Sequence, residues 1–211
     1  MILTPIAAGE LPVVLARFAA TLADGFAGRV CAAIAHTSAE RAQGRLAEEH
    51  RREALARAGQ FGMETLEGSP AQGFSWDGSR LRADTGAYVL LHEIAHYQLA
   101  SPERRGVVDF GLGPGPDTGD RAAAERAALL SILERDREEA AVSLLGILWE
   151  TALGHPALAS FLDQNWLEGA GGDAAARHFT TILHRLHAGG FVDAAGRPRR
   201  RLRTEPDERV A

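Results

Sequence analysis

One cysteine, Cys31, stands alone in a chain of 211 residues, so no intramolecular disulfide can form. Its place in the apolar run VCAAIA marks it as a buried small hydrophobe, and a reducing cytoplasm is the expected compartment. Long apolar runs are missing as well: no window approaches the ~20 apolar residues that a membrane-spanning helix needs. The opening segment MILTPIAAGELPVVLARFAA has no basic leader and carries Glu10 in its middle, so it reads as entry into an amphipathic helix rather than as a signal peptide. An excess of positive charge is also lacking. The formal net charge is -5 and the sequence pI about 5.9, which gives no general field for nucleic acid or an anionic membrane, and neither partner is expected.

What remains is the composition of a folded protein. With 45% hydrophobic and 24% charged residues, the chain suffices for one globular domain with a real core. No internal repeat and no strong domain boundary is visible. The expectation is a single domain over residues 1–195, followed by a charged, flexible tail over 196–211 whose RPRRRLR run is solvated.

Periodicity predicts a mainly helical α+β fold with a small sheet. Leu11, Val14, Leu15, Phe18 and Leu22 recur at helical spacing, with Pro12 tolerated in the first turn, and this first helix is expected to end near Gly25. GRVCAAIA reads as a short strand. SAERAQGRLAEEHRREALARAG has the make-up of an exposed helix, with Gly44 its weak point. Asp77-Gly78 suits a hairpin turn between two short segments. A helix from about Thr85 to Ala100 follows, stopped before Pro102. DFGLGPGPDTGD is a loop by composition, and residues from Asp120 to Gly154 read as helix, broken between AAAERAALLSILERD and REEAAVSLLGILWETALG, the second part apolar almost all round and so expected to be buried; two further helices come after it.

The helix of residues 85–100 contains HEIAH. Positions four apart lie nearly above one another on a helix, so His92 and His96 can converge on one ion, with Glu93 beside them. Two histidines are too few for a mononuclear site. A third donor is expected from Glu138 or Glu139, at the head of an apolar helix where a carboxylate without a cation would be costly. Helical phase favours Glu138, which shares a face with Ala141 and Leu145. Asp109 either orients a ligand histidine from behind or caps a turn and pairs with Arg104 or Arg105. His155 reads as a turn residue, and His178, His184 and His187 as surface or core residues of a late helix. The loop GLGPGPDTGD lacks the lysine and spacing of a phosphate-binding loop.

The ligand set permits two chemistries and one non-catalytic role. Two histidines and a carboxylate on Fe(II) leave positions open for oxygen and substrate. The same set on zinc leaves a place for water, with Glu93 as general base of a peptidase, and HEIAH followed by EEAAVSLL is similar to small regulatory metallopeptidases. A metal that merely ties two helices together would make an interaction module.

The segment HEIAHYQLASPERRGVVDFG resembles the signature of the elongation factor P hydroxylase family, in which an HExxH helix is followed by Arg-Arg and Asp-Phe-Gly. RFAATLADGFAGRV is similar to that family's first helix and WLEGAGG to a later Leu-Glu-Gly element. The resemblance implies a zincin-like HExxH helix packed on a second ligand-bearing helix. It also implies a cytoplasmic non-haem metal monooxygenase, with Fe(II) favoured and Zn(II) the alternative, that hydroxylates the modified lysine of elongation factor P. Carried across residue by residue, His92 and His96 are ligands. Glu139 is the third ligand when the ALGHP turn anchors the comparison, Glu138 being the alternative, and Glu93 lies at the catalytic position. Tyr97 stands where the family has a tryptophan, and it is expected beside the ligands together with Asp109.

Overall fold

The computed structural model describes residues 6–22, 24–67, 73–115 and 118–204. The chain divides into two compact units, residues 1–42 with 147–199 and residues 43–146 with 200–211. The protein is mainly helical with one small two-stranded sheet, the architecture expected from the periodicity.

The first unit begins with α1 (Leu11–Thr21) and α2 (Gly25–Ala35). GRVCAAIA is therefore helix and not strand. Ala27, Val30, Cys31 and Ile34 are all buried and follow a helical period, and Asp24 accepts a hydrogen bond from Phe26 N to start the helix. So short an apolar run does not reveal its period by itself. α7 (Ala157–Asp163), the short turn α8 (Glu168–Gly171) and α9 (Asp173–Ala188) complete this unit. Its core is aromatic: Phe18, Phe161 and Phe179 meet edge to face, and Trp166 stacks on Phe161. Glu150 and Ser160, both buried, are held by Arg41, which also reaches Asp163.

The second unit carries α3 (Gly44–Gln60), packed along α4 (Ala87–Leu99). α3 starts at Gly44, with φ +55, so the predicted weak point is the boundary itself. β1 (Glu64–Leu66) pairs in parallel with β2 (Arg80–Arg82). β2 is also one arm of the predicted hairpin: Trp76 bridges Leu81 across the Asp77-Gly78 turn. Gly78 has φ +93, and a Cβ there would meet the carbonyl oxygen of Gly106 at 2.9 Å, so the turn can sit on the segment after α4 only as glycine.

Two short 3-10 turns follow α4, Arg104–Gly106 and Val108–Gly111. α5 (Arg121–Arg126) and α6 (Ile132–Leu153) are separate helices, so the break falls over residues 127–131 and not between Asp136 and Arg137, where α6 runs on without interruption. The expected burial of the later part of α6 is observed, with Ala141, Val142, Leu144 and Leu145 all at 1% exposure or less.

The backbone of the arginine-rich stretch is tied down, while the side chains of Arg197, Arg199 and Arg200 are exposed. In the first unit Val192 bridges Pro198, and Arg199 N donates to Phe191 O. In the second, Gln98 of α4 donates to Arg201 O and accepts from Arg203 N, while Arg105 donates to Arg203 O. Backbone groups of the stretch make these bonds, and side-chain charge does not reveal them. The remainder of the expected tail, residues 205–211, lies outside the described residues.

Candidate metal centre

α4 begins after Gly86 and is stopped beyond Leu99 by an extended Ala100, with Pro102 following. Its buried side carries Leu90, Leu91, Ile94, Ala95 and Leu99, which fixes its rotation and turns His96 inward. His92 lies one turn earlier on the same stripe. The two Nε2 atoms are 3.1 Å apart and the rings meet at 81°.

α6 supplies the third donor. The Glu139 carboxylate straddles the pair, Oε2 lying 3.6 Å from His92 Nε2 and Oε1 3.6 Å from His96 Nε2. One donor atom from each of the three residues lies within 4.8 Å of the others. Donors each ~2.1 Å from one cation are spaced about 3.0 Å in an octahedral and about 3.4 Å in a tetrahedral arrangement, so the three groups fit a divalent ion closely. Among the described residues the group has these three members.

Glu138 does not ligate. Both its oxygens accept hydrogen bonds from Arg104, at 2.7 and 2.5 Å, in a pair with both side chains only 8% exposed. Glu138 does face inward, as its helical phase indicates, but an arginine already occupies that face. Glu139, one residue on, is turned to the histidines.

The electrostatics suit a cation. Burial pushes the His96 imidazole down to about 3, outweighing the attraction of Glu139, so the ring is neutral and a lone pair is available. Burial opposes ionisation of Glu139, yet His96 and His92 together hold its carboxyl down at about 2. A fixed anion therefore stands beside a neutral imidazole. Exposure is graded across the site, from 5% for the His96 side chain to 26% for His92 and 44% for Glu139. One side is closed by protein and the other is open.

α4 and α6 pack together, as expected of the HExxH helix and a second ligand-bearing helix, but the glycine that lets them approach so closely was not singled out from the sequence. A Cβ on Gly146 would lie 3.3 Å from His92 Cα and 3.4 Å from its N. Gly146 follows Glu139 by seven residues, two helical turns, so it lies on the face that carries the ligand. That spacing was the available signal.

The wall behind His96 comes from the second 3-10 turn. Asp109 (φ 44) and Phe110 (φ 54) are both left-handed, a conformation that costs about 1–3 kcal/mol per residue. Asp109 N donates to Trp76 O, and Arg104 Nε donates to Phe110 O. Asp109 makes no hydrogen bond to His96: its Oδ2 accepts from Thr118 Oγ1 at 2.8 Å, while among the described residues no protein group bonds the buried His96 Nδ1. Burial raises the Asp109 carboxyl above its ordinary range. The ring of Tyr97 meets Trp76 and Phe110 edge to face, with the Arg105 guanidinium 5.3 Å from its centroid. Glu93 is half-buried on α4, next to His92.

The later histidines have surroundings of their own in the first unit. His178 stacks on Trp166, His184 pairs with Asp24 at 2.6 Å, and His187 lies 3.2 Å from Val192 O. His155 is buried in the turn after α6. Among the described residues, no helix is long and apolar enough to cross a membrane.

Comparison of the chain with protein families, with curated proteins and with solved structures finds no match.

Proposed function

We propose that the protein is a metal-dependent hydroxylase of the non-haem iron type, acting on a protein substrate, with the modified lysine of elongation factor P as the group hydroxylated. The observation that carries the reading is the donor set: two histidines and one carboxylate converge on a point that is walled on one side and open on the other. The resemblance around the motif adds its weight, since the elements that define it meet in space. Arg104 of the Arg-Arg pair and Phe110 of Asp-Phe-Gly are bonded to each other and to the surroundings of the ligands.

When bound, Fe(II) supplies the oxygen-activating chemistry of this donor set. The chain does the rest. His92, His96 and Glu139 hold the ion from one side, and neutral His96 offers its lone pair without first losing a proton. Phe110 and Trp76, both buried, keep water from the back of the site. The exposed flank beside Glu139 and His92 is where a side chain on a protein surface can enter. Glu93, adjacent to His92, positions its neighbour and need not move a proton in this chemistry.

Zinc peptidase activity is the competing reading, resting on the same ligands with Glu93 as base. Fe(II)-loaded protein is mixed with elongation factor P carrying its modified lysine, under isotopically labelled dioxygen and with an added two-electron reductant, the second oxygen atom leaving as water. The expected result is a gain of one labelled oxygen atom on the lysine, with Glu93→Gln still binding metal. Cleavage of an unfolded protein by the zinc form, reduced by orders of magnitude in Glu93→Gln and without oxygen incorporation, would replace the hydroxylase with a peptidase.

A further inference from the structure

A histidine that ligates a metal ordinarily has its plane fixed by a hydrogen bond from the other ring nitrogen to a carboxylate, a carbonyl or water. Among the described residues no protein group makes such a bond to His96, whose Nδ1 is buried. Something else holds the ring. Phe110 lies against it nearly parallel, with centroids 5.5 Å apart and planes 20° from each other, and Trp76 lies on Phe110 at 5.4 Å and 8°. We infer that Phe110 is the positioning residue of the metal centre, its ring setting the plane of His96 by stacking where a hydrogen bond would otherwise do so. The inference rests on the proposal that His92, His96 and Glu139 hold a metal.

Each layer of the stack is anchored. Trp76 Nε1 donates to Arg105 O at 2.8 Å, and Trp76 O accepts from Asp109 N at 3.0 Å, which fixes the outer ring to the turn that bears Phe110. Phe110 is held in a left-handed conformation, φ 54 and ψ 23, that phenylalanine rarely adopts. Arg104 Nε donates to its carbonyl at 2.8 Å. The same guanidinium grips both oxygens of Glu138, the residue before the third ligand. One arginine thus links the ring behind His96 to the start of the Glu139 segment. The three stacked rings are 4% exposed or less, so a change in Phe110 is transmitted to His96 and not absorbed by solvent.

The test compares wild type with Phe110→Leu and Phe110→Tyr. Zinc affinity is measured by chelator competition, the Co(II)-loaded spectrum is recorded, and melting of the metal-free protein serves as the stability control. Phe110→Leu is expected to weaken zinc about tenfold or more and to alter the Co(II) spectrum, while Phe110→Tyr restores both. Should Phe110→Leu not fold, the His96 ring protons of the zinc-bound wild type decide the matter by NMR, the expected result being an upfield shift from the stacked ring. Unchanged zinc affinity and Co(II) spectrum in a folded Phe110→Leu protein overturns the inference, as does the absence of that shift. A wild type that takes up neither Zn(II) nor Co(II) overturns instead the metal-site reading beneath it.

Discussion

Gly146 of α6 lies against the backbone of His92 in α4, so closely that a single added carbon would stand 3.3 Å from His92 Cα. The distance between two helix axes is thereby set by the residue with no side chain, and Glu139, two turns earlier on α6, is brought to within 3.6 Å of each histidine.

Widening that contact should loosen the site before it unfolds the protein. Gly146→Ala is expected to reduce zinc affinity measurably, and Gly146→Val to reduce it further and to destabilise the fold by about 1–3 kcal/mol through overpacking. Titration with a competing chelator and chemical denaturation check the two effects. Wild-type affinity in Gly146→Val would show that the close approach is dispensable.

Adjacent glutamates should part company when each is removed. Glu139→Ala is expected to lose bound metal with little change in the metal-free fold. Glu138→Ala should keep stoichiometric metal and lose about 3–5 kcal/mol of stability, because Arg104 is left as a buried charge without its partner. Metal analysis beside denaturant melts of both variants reads this directly, and a reversed pattern would make Glu138 the ligand.

Acid should weaken the metal-free protein earlier than carboxylates alone explain. The folded state holds His96 neutral down to about pH 3, whereas the unfolded chain protonates it near 6.5. Between those values the unfolded state binds the extra proton, so stability falls as pH falls, by up to ~1.4 kcal/mol per pH unit from this group. His96→Gln should show a shallower slope over that window, measured by denaturant melts in chelator. Equal slopes would mean that His96 is not held neutral.

Asp109 should act with the opposite sign. Burial raises its folded value above the ordinary one, so the folded state binds the extra proton, and stability falls as pH rises from the unfolded value to the folded one. An asparagine at this position carries no such charge, tolerates the left-handed conformation and can still accept from Thr118. Asp109→Asn is therefore expected to match wild type in strong acid and to exceed it at neutral pH. A variant no more stable at pH 7 than at pH 3, relative to wild type, would contradict this.

What the sequence determined by itself is what depends on neighbours along the chain. His92 and His96 share a helix face because four residues make about one turn, and HEIAH says so without any tertiary structure. The hairpin at Asp77-Gly78 and the burial of the later part of α6 follow equally from local pattern, whereas the break before α6 falls at residues 127–131 and not after Asp136, where the pattern suggests it. An eight-residue apolar run at α2 was too short to declare its period, and backbone bonds from the arginine-rich stretch to Gln98 leave no mark on composition. Helical phase points to Glu138 and the family resemblance to Glu139, and only the tertiary structure supplies the physical reason for Glu139. Both lie at the head of a buried helix, and the choice turns on Arg104, which is 34 residues before Glu138 in sequence and takes the inward face. The same holds for Gly146 against His92 and Phe110 against His96, contacts between residues far apart in the chain, whose geometry exists only once the helices and the left-handed turn are packed together.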